Sequence, residues 1–239
     1  MIKTVENGKI VCIIPARAGS KRLINKNTRP LNGKPLIAWT LEEAKKSLLI
    51  DRIIVSTDDE AVSNISGAYG IEVVKRPEEL AADEAATADV VIHVLGLLKQ
   101  RAFCPGHVIL LQCTSPLRTA KHIDEALRKY LDSKEDVDSL ISVSREEHPP
   151  WWSKTIDKSG FLFDTFEYDR QKYSRSQDFP DTYRVNGAIY IARTKKLLEF
   201  KGFQMERTLS YVMEPRLSID IDTETDFMFA ELVMNSLRD

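Results

Sequence analysis

The stretch VCIIPARAGSKRLINKNTRPLNGKP, residues 11–35, opens with a short apolar run and then carries Arg17, Lys21, Arg22, Lys26, Arg29 and Lys34 with no acid among them. No Asp or Glu occurs between Asn7 and Leu41. A near-continuous apolar, β-branched run reads as a strand buried on both faces, which belongs to a parallel sheet. In such an open α/β sheet, ligands bind beyond the carboxyl ends of the strands. The loop that follows the run therefore sits where a ligand would lie. Gly19 lets the backbone approach that ligand closely, while Arg17 and Lys21 offer charge-assisted bonds to phosphate oxygens. The loop holds neither GxxxxGK followed by Ser or Thr nor GxGxxG, the two familiar phosphate-binding patterns. It is a cradle of another kind, reliant on cationic side chains as well as backbone amides.

The pattern continues outward. Apolar runs at 10–14, 52–56, 71–74, 107–112 and 139–143 alternate with helical-period segments at 35–48, 59–69, 87–101 and 119–131. Strand–helix alternation of this kind predicts βαβ units and an α/β fold with a mainly parallel sheet flanked by helices. Pro35 suits a first helical turn. Thr119, Thr194 and Thr223 are placed as helix N-caps, and Gly70 as a helix C-terminus. Residues 146–184 break the alternation: they are aromatic, charged and irregular, with a hairpin turning at 157–160. The whole of 1–239 reads as one domain with this segment inserted, placed in sugar-pocket or subunit contacts. The chain then returns to the sheet with VNGAIYIA, a short helix at 194–200, and a strand, two acids and a closing helix.

Composition sets outer limits. The 239 residues carry 34 Lys and Arg against 36 Asp and Glu, a formal net charge of −2. Charges this balanced give no support to a nucleic-acid partner, so the basic stretch wants a local anion. Cys12, Cys104 and Cys113 form no CxxC pair and read as reduced residues of a cytoplasmic protein. No secretory segment follows Met1, and no apolar run reaches the ~18 residues needed to span a membrane.

Seven motifs carry a family resemblance in order. IIPARAGSKRLINKN resembles the signature loop of the CMP-sugar synthetases, which activate nine-carbon and eight-carbon 2-keto sugar acids. LNGKPLIAWT, DRIIVSTDD, VVKRPEELAAD, LLQCTSPLR, RVNGAIYIA and SIDIDTETDF resemble the acylneuraminate (sialic acid) branch, covering about residues 10–235. The resemblance implies a Rossmann-like nucleotidyltransferase fold, CTP and Mg²⁺ as co-reactants, and a homodimer. Two departures stand out: Cys113 replaces a proline usual in the family, and KRLIN lacks the proline many members carry there.

On that basis Arg17, Ser20, Lys21 and Asn27 are assigned to the triphosphate and ribose, with Lys21 nearest the reacting phosphates. Asp220 and Asp222, at i and i+2, would point to one face of a strand. Two hard carboxylates there can hold a Mg²⁺ already bound to nucleotide phosphates, and the family's metal ligands match these two positions. Asp226 reads instead as the capping-box acid of the last helix, and Glu224 as favourable charge near its N-terminus. The resemblance places Arg76 and Thr87 around cytosine and ribose, and Arg175 and Arg184 against the acidic sugar or the phosphates. Gln112 closes an apolar strand where a sugar or ribose would sit, and its amide both donates and accepts. Asn186 and Gly187 begin the strand flooring the sugar pocket. Arg118 is expected either to bind a phosphate or to pair with acids on the following helix, the second being preferred. Lys26, Arg29 and Lys34 are assigned to subunit contacts or solubility.

Trp151 and Trp152 stand where part of the family carries a lysine, and aromatic bulk beside the pocket would suit methyl or acetamido groups. That favours a di-N-acetylated, 9-deoxy relative such as legionaminic or pseudaminic acid beside N-acetylneuraminate. No Ser–His–Asp order or reactive-cysteine context suggests a covalent intermediate. The expected reaction is attack of the sugar's anomeric hydroxyl on the α-phosphorus of CTP, with metal-assisted deprotonation. The rivals are a Kdo cytidylyltransferase and a non-catalytic CTP-binding homologue.

Overall fold

A computed structural model describes residues 8–82 and 84–237. Its strands are β1 Ile10–Pro15, β2 Pro30–Leu31, β3 Lys34–Pro35, β4 Arg52–Thr57, β5 Glu72–Lys75, β6 His107–Leu110, β7 Ser139–Arg145, β8 Lys154–Ile156, β9 Leu162–Asp164, β10 Tyr183–Arg193 and β11 Thr208–Met213. Its helices are α1 Leu36–Lys46, α2 Glu60–Ala68, α3 Glu78–Ala81, α4 Thr87–Gln100, α5 Ala120–Leu131, α6 Thr194–Phe200 and α7 Glu224–Ser236. Seven of these strands form one sheet in the order β11-β7-β10-β6-β1-β4-β5. β10 runs antiparallel to both its neighbours, β6 and β7, and the remaining pairings are parallel. The sheet is thus mainly parallel, as the alternation predicts.

β1 shows why. Ile10, Cys12 and Ile14 pack on one side with α1, α2 and α5. Val11 and Ile13 pack on the other side with α4 and α6. A strand that alternates between two apolar layers has no polar face to give to water, so it occupies the middle of the sheet. A third apolar group joins Leu31, Leu36, Ile219 and Ile221 to Phe227, Ala230, Val233 and Met234 on the inner side of α7. This packing fixes the segment that carries the two acids. The β2–β3 hairpin turns on Asn32 and Gly33, both at positive φ, the backbone that an Asn-Gly turn supplies at little cost.

The structure corrects several local expectations. Thr119 and Thr223 do cap α5 and α7 through their side chains. Thr194 does not: it is the first residue of α6, and no side-chain cap forms there. Asp220 and Asp222 lie outside any strand, in the connection between β11 and α7. Ile219 and Ile221 point into the third apolar group, so alternation along the backbone survives without a ladder. The hairpin of the inserted segment pairs β8 with β9 and turns at Gly160, whose φ is 87°. Within the segment, Trp151, Trp152, Tyr168 and Tyr173 gather around Phe179. Among the described residues no helix is long and apolar enough to cross a membrane.

Candidate active site

The carboxyl ends of the parallel strands open on one side of the sheet. β1 ends at Pro15 and runs into the cationic loop, β5 ends just before Arg76, and β6 ends two residues before Gln112. β10 runs the other way, so it brings its beginning, with Arg184 and Asn186, to the same side. Two cavities lie there. One, of about 610 Å³, is lined by Arg17, Ser20, Lys21, Asn27, Arg76 and Thr87 together with Gln112, Asp220 and Asp222. The second, of about 660 Å³, is lined by Arg184, Asn186, His148, Phe229 and again Asp220. Asp220 therefore stands on the wall that the two cavities share.

Arg175 lines neither cavity. Its guanidinium donates to Asp178 Oδ1 at 3.1 Å, within its own turn. Trp151 and Trp152 also line neither; Trp151 stacks on Phe179 at 5.2 Å. The aromatic bulk expected beside the sugar pocket builds the core of the inserted segment instead. Asp83, in the motif that contains Arg76 and Thr87, lies outside the described residues.

The loop is held in shape from beneath. The Ala18 amide donates to Asp58 Oδ1 at 2.9 Å, and Asn27 Nδ2 donates to the Arg17 carbonyl at 3.0 Å. Gly19 sits at φ 72°, a backbone that favours glycine. Asn27 is buried, so part of its role is to hold the loop. Asn186 is committed in the same way: its Oδ1 accepts from Ser142 Oγ at 2.6 Å and its Nδ2 donates to Ser218 Oγ at 2.9 Å.

Arg76 is buried, and its Nη2 donates to the Ser56 carbonyl at 2.8 Å. Burial lowers its pKa, with Asp58 pulling the other way. Its Nε has no protein partner among the described residues. A buried donor left unpaired costs about 1–3 kcal/mol, which an acceptor on a ligand would relieve. Thr87 begins α4 but does not cap it; the N-cap is Ala86. Its hydroxyl is not spent on the helix end.

The acids differ in environment. Crowding by the cleft walls raises the Asp220 pKa, a hydrogen bond with Thr114 works against that rise, and the charge of Asp222 adds to it. Asp222 is half-exposed and doubly paired, with Lys26 Nζ at 3.0 Å and Arg22 Nη1 at 3.2 Å. Asp226 is the capping-box acid: its Oδ2 accepts from the Thr223 amide at 2.7 Å and the Asp222 amide at 3.1 Å. Ile221 between the acids donates its amide to the Thr114 carbonyl at 2.8 Å.

Several roles were missed from sequence. Lys26 belongs to the acids rather than to a subunit contact or to solubility. Arg29 pairs with Glu224 and lies over the Phe227 ring, and Lys34 pairs with Glu42 and lies over Trp39. Glu224 is thus an ion-pair partner as well as a helix-start acid. Arg118 is fully buried, and it pairs with no helix acid. Its Nη1 donates to the carbonyls of Gln112 and Ala188 at 2.9 Å each, and its Nη2 to Thr40 Oγ1 at 2.7 Å. Burial pulls its pKa down to about 10. It ties the end of β6 to β10. Between those strands Gly187, at φ 76°, leaves room for Gln112: a Cβ there would lie 2.8 Å from Gln112 Oε1 and 3.4 Å from Asp220 Oδ2.

Comparison with known proteins gives the family and the fold. The cytidylyltransferase family profile matches residues 11–234. An N-acylneuraminate cytidylyltransferase of Escherichia coli is 39% identical over 93% of this chain and 51% of its own length. The chain therefore spans about half the length of that relative. A CMP-N,N'-diacetyllegionaminic acid synthase of Legionella pneumophila is 38% identical over 95% of this chain and 96% of its own. Among solved structures, a CMP-2-keto-3-deoxy-manno-octonic acid synthetase complexed with CTP superposes with a TM-score of 0.69 at 18% identity, covering 96% of this chain and 99% of its own. That last likeness is one of fold.

Proposed function

The chain belongs to the cytidylyltransferase family, and on that premise we propose that it transfers the cytidylyl group of CTP to a nine-carbon 2-keto sugar acid of the sialic acid type. The anomeric hydroxyl oxygen forms a bond to the α-phosphorus, the bond to the β-phosphate's bridging oxygen breaks, and pyrophosphate leaves. The observation that carries this reading is the pair of adjoining cavities with Asp220 on their common wall. One suits a nucleotide and the other an acidic sugar, and they meet beside the acids.

Arg17, Ser20, Lys21 and Asn27 hold the triphosphate and ribose, and Arg76 and Thr87 take the cytosine end. Arg184 is the cation for the sugar carboxylate and Asn186 floors the sugar side, while Gln112, which lines the first cavity, meets the sugar or the ribose where the two cavities adjoin. Phosphoryl transfer asks the protein mainly to align reactants and neutralise spreading charge. Asp220 and Asp222 fit a divalent cation: they are hard oxygen donors lining one cavity, and burial, with the charge of Asp222 added, makes a lone negative charge on Asp220 unfavourable. Mg²⁺ is usually held by one or two carboxylates, which these two acids could supply, plus phosphates and water. When bound, Mg²⁺ would neutralise phosphate charge and make the incoming hydroxyl more acidic.

A pyrophosphate-release assay with CTP tests the reading against N-acetylneuraminic, N,N'-diacetyllegionaminic, pseudaminic and Kdo acids. Turnover is expected with a nine-carbon acid. CTP binding with no pyrophosphate from any acid would point to a non-catalytic homologue, and Kdo as the preferred substrate would move the assignment to eight-carbon acids. In the same assay Gly187→Ala is expected to lower kcat/KM by roughly tenfold to a hundredfold, because the added carbon displaces Gln112 beside Asp220. The strained φ adds about 1–2 kcal/mol of instability. An alanine variant as fast as the parent would show that this close approach does not matter.

The β8–β9 hairpin leaves Ile156, Phe161, Leu162 and Phe163 exposed, with Phe166 close by in sequence and also exposed. Apolar surface concentrated this way marks an interaction site, and we assign it to a second copy of the chain in a cytoplasmic homodimer. Light scattering that returned the mass of one chain would end that assignment.

A further inference from the structure

Lys26 is held in place by the molecule around it. It opens a single 3₁₀ turn, Lys26–Thr28, and only 13% of its side chain is exposed. Its Nζ lies 3.0 Å from Asp222 Oδ1 and 2.7 Å from the Ile221 carbonyl oxygen. Asp220 and Asp226 lie within reach of the same charge. A carboxylate oxygen and a backbone carbonyl oxygen are the ligand types that a hard divalent cation takes. Lys26 thus places one fixed positive charge among three acids, on the oxygens a metal ion would seek.

We infer that Lys26 is a stand-in cation: it neutralises the Asp220–Asp222 pair in the free protein and yields Asp222 when metal enters together with nucleotide. This rests on the reading of Asp220 and Asp222 as metal-holding residues. An ammonium and a divalent ion repel each other at contact distance, so the two cannot share Asp222 Oδ1. Release of Lys26 needs another anion within reach, and the phosphate tail of a nucleotide in the same cleft supplies one. The free protein therefore takes metal poorly, and the metal arrives as its nucleotide complex. Arg22 holds the other oxygen of Asp222, but its side chain is 72% exposed, so it yields to a competitor readily.

The test is direct Mn²⁺ binding to the nucleotide-free protein, read from the paramagnetic resonance signal of unbound Mn²⁺. Lys26→Met and Lys26→Gln are expected to bind Mn²⁺ at least about tenfold tighter than the parent. That is the low end of what removing one unit charge at contact distance supplies. Lys26→Arg, which keeps the charge, should bind as weakly as the parent. Mn²⁺ should also raise the Tm of Lys26→Met and leave that of the parent unchanged. Equal affinity in the parent and in both neutral variants overturns the stand-in role, while loss of bound Mn²⁺ in Asp222→Asn with CTP present keeps the metal reading intact. If no protein binds Mn²⁺ beyond what CTP alone sequesters, the metal reading fails and takes this inference with it.

Discussion

Replacing Lys21 by methionine is expected to lower kcat for pyrophosphate release by about 10²–10³-fold, the loss typical when one preorganised electrostatic group is removed from a transition state. The physical reason is placement. Lys21 lines the same cavity as Asp220 and Asp222, on the loop that follows β1. As the α-phosphorus is attacked, charge spreads over the phosphate oxygens, and a fixed cation meets that charge without reorganising. Methionine keeps most of the stem and removes the charge alone. Lys21 is exposed, so little packing is lost and the Tm should hold within about a degree or two. The effect should fall mainly on kcat, because the charge it meets is largest in the transition state. A methionine variant that raised KM for CTP and left kcat alone would place Lys21 in ground-state binding only.

Asp220→Asn carries the second large effect, in two opposed directions. Turnover should drop by about 10²-fold or more, since the change removes an anion at the meeting point of the two cavities. Stability should not drop with it. The raised pKa of Asp220 means that the folded protein prefers this carboxyl protonated, chiefly because the cleft walls crowd it. Such a group supports folding below the unfolded-state value, near pH 4, and that support is lost as pH rises through the higher folded-state value. At neutral pH the ionised carboxylate therefore works against the fold, and asparagine removes that cost. Solvent reaches the group through the cleft mouth, so the gain is small. Melting curves in metal-free buffer should show parent and variant alike near pH 4 and the variant equal or slightly higher at pH 7. A variant clearly less stable at pH 7 would mean that Asp220 is a structural anchor.

Much of this was legible before any coordinates. The two-layer burial of β1 follows from its unbroken apolar run, and four further strands appear within one or two residues of their expected places. Most of the residues expected around a nucleotide share one cleft, because each follows the carboxyl end of a parallel strand. The misses share a cause. Arg118, Lys26 and Arg29 find partners far away in sequence: Arg118 meets Ala188, Lys26 meets Asp222 and Arg29 meets Glu224. Local pattern cannot pair a loop cation with an acid near the other end of the chain. The tryptophans misled for a related reason: aromatic spacing does not say whether a ring faces a ligand or, as here, Phe179. Thr194 looks like a cap in sequence, yet its helix begins one residue earlier than that role requires.

The separation between the two charged walls has a consequence for how the protein is made. The cationic loop lies at residues 17–27, whereas the acids lie at 220–222 and are seated by α7. During synthesis the cationic loop is therefore made well before the acids. Ligand can stabilise only a chain able to bind it. The protection that nucleotide gives together with metal therefore begins only once α7 has seated the acids.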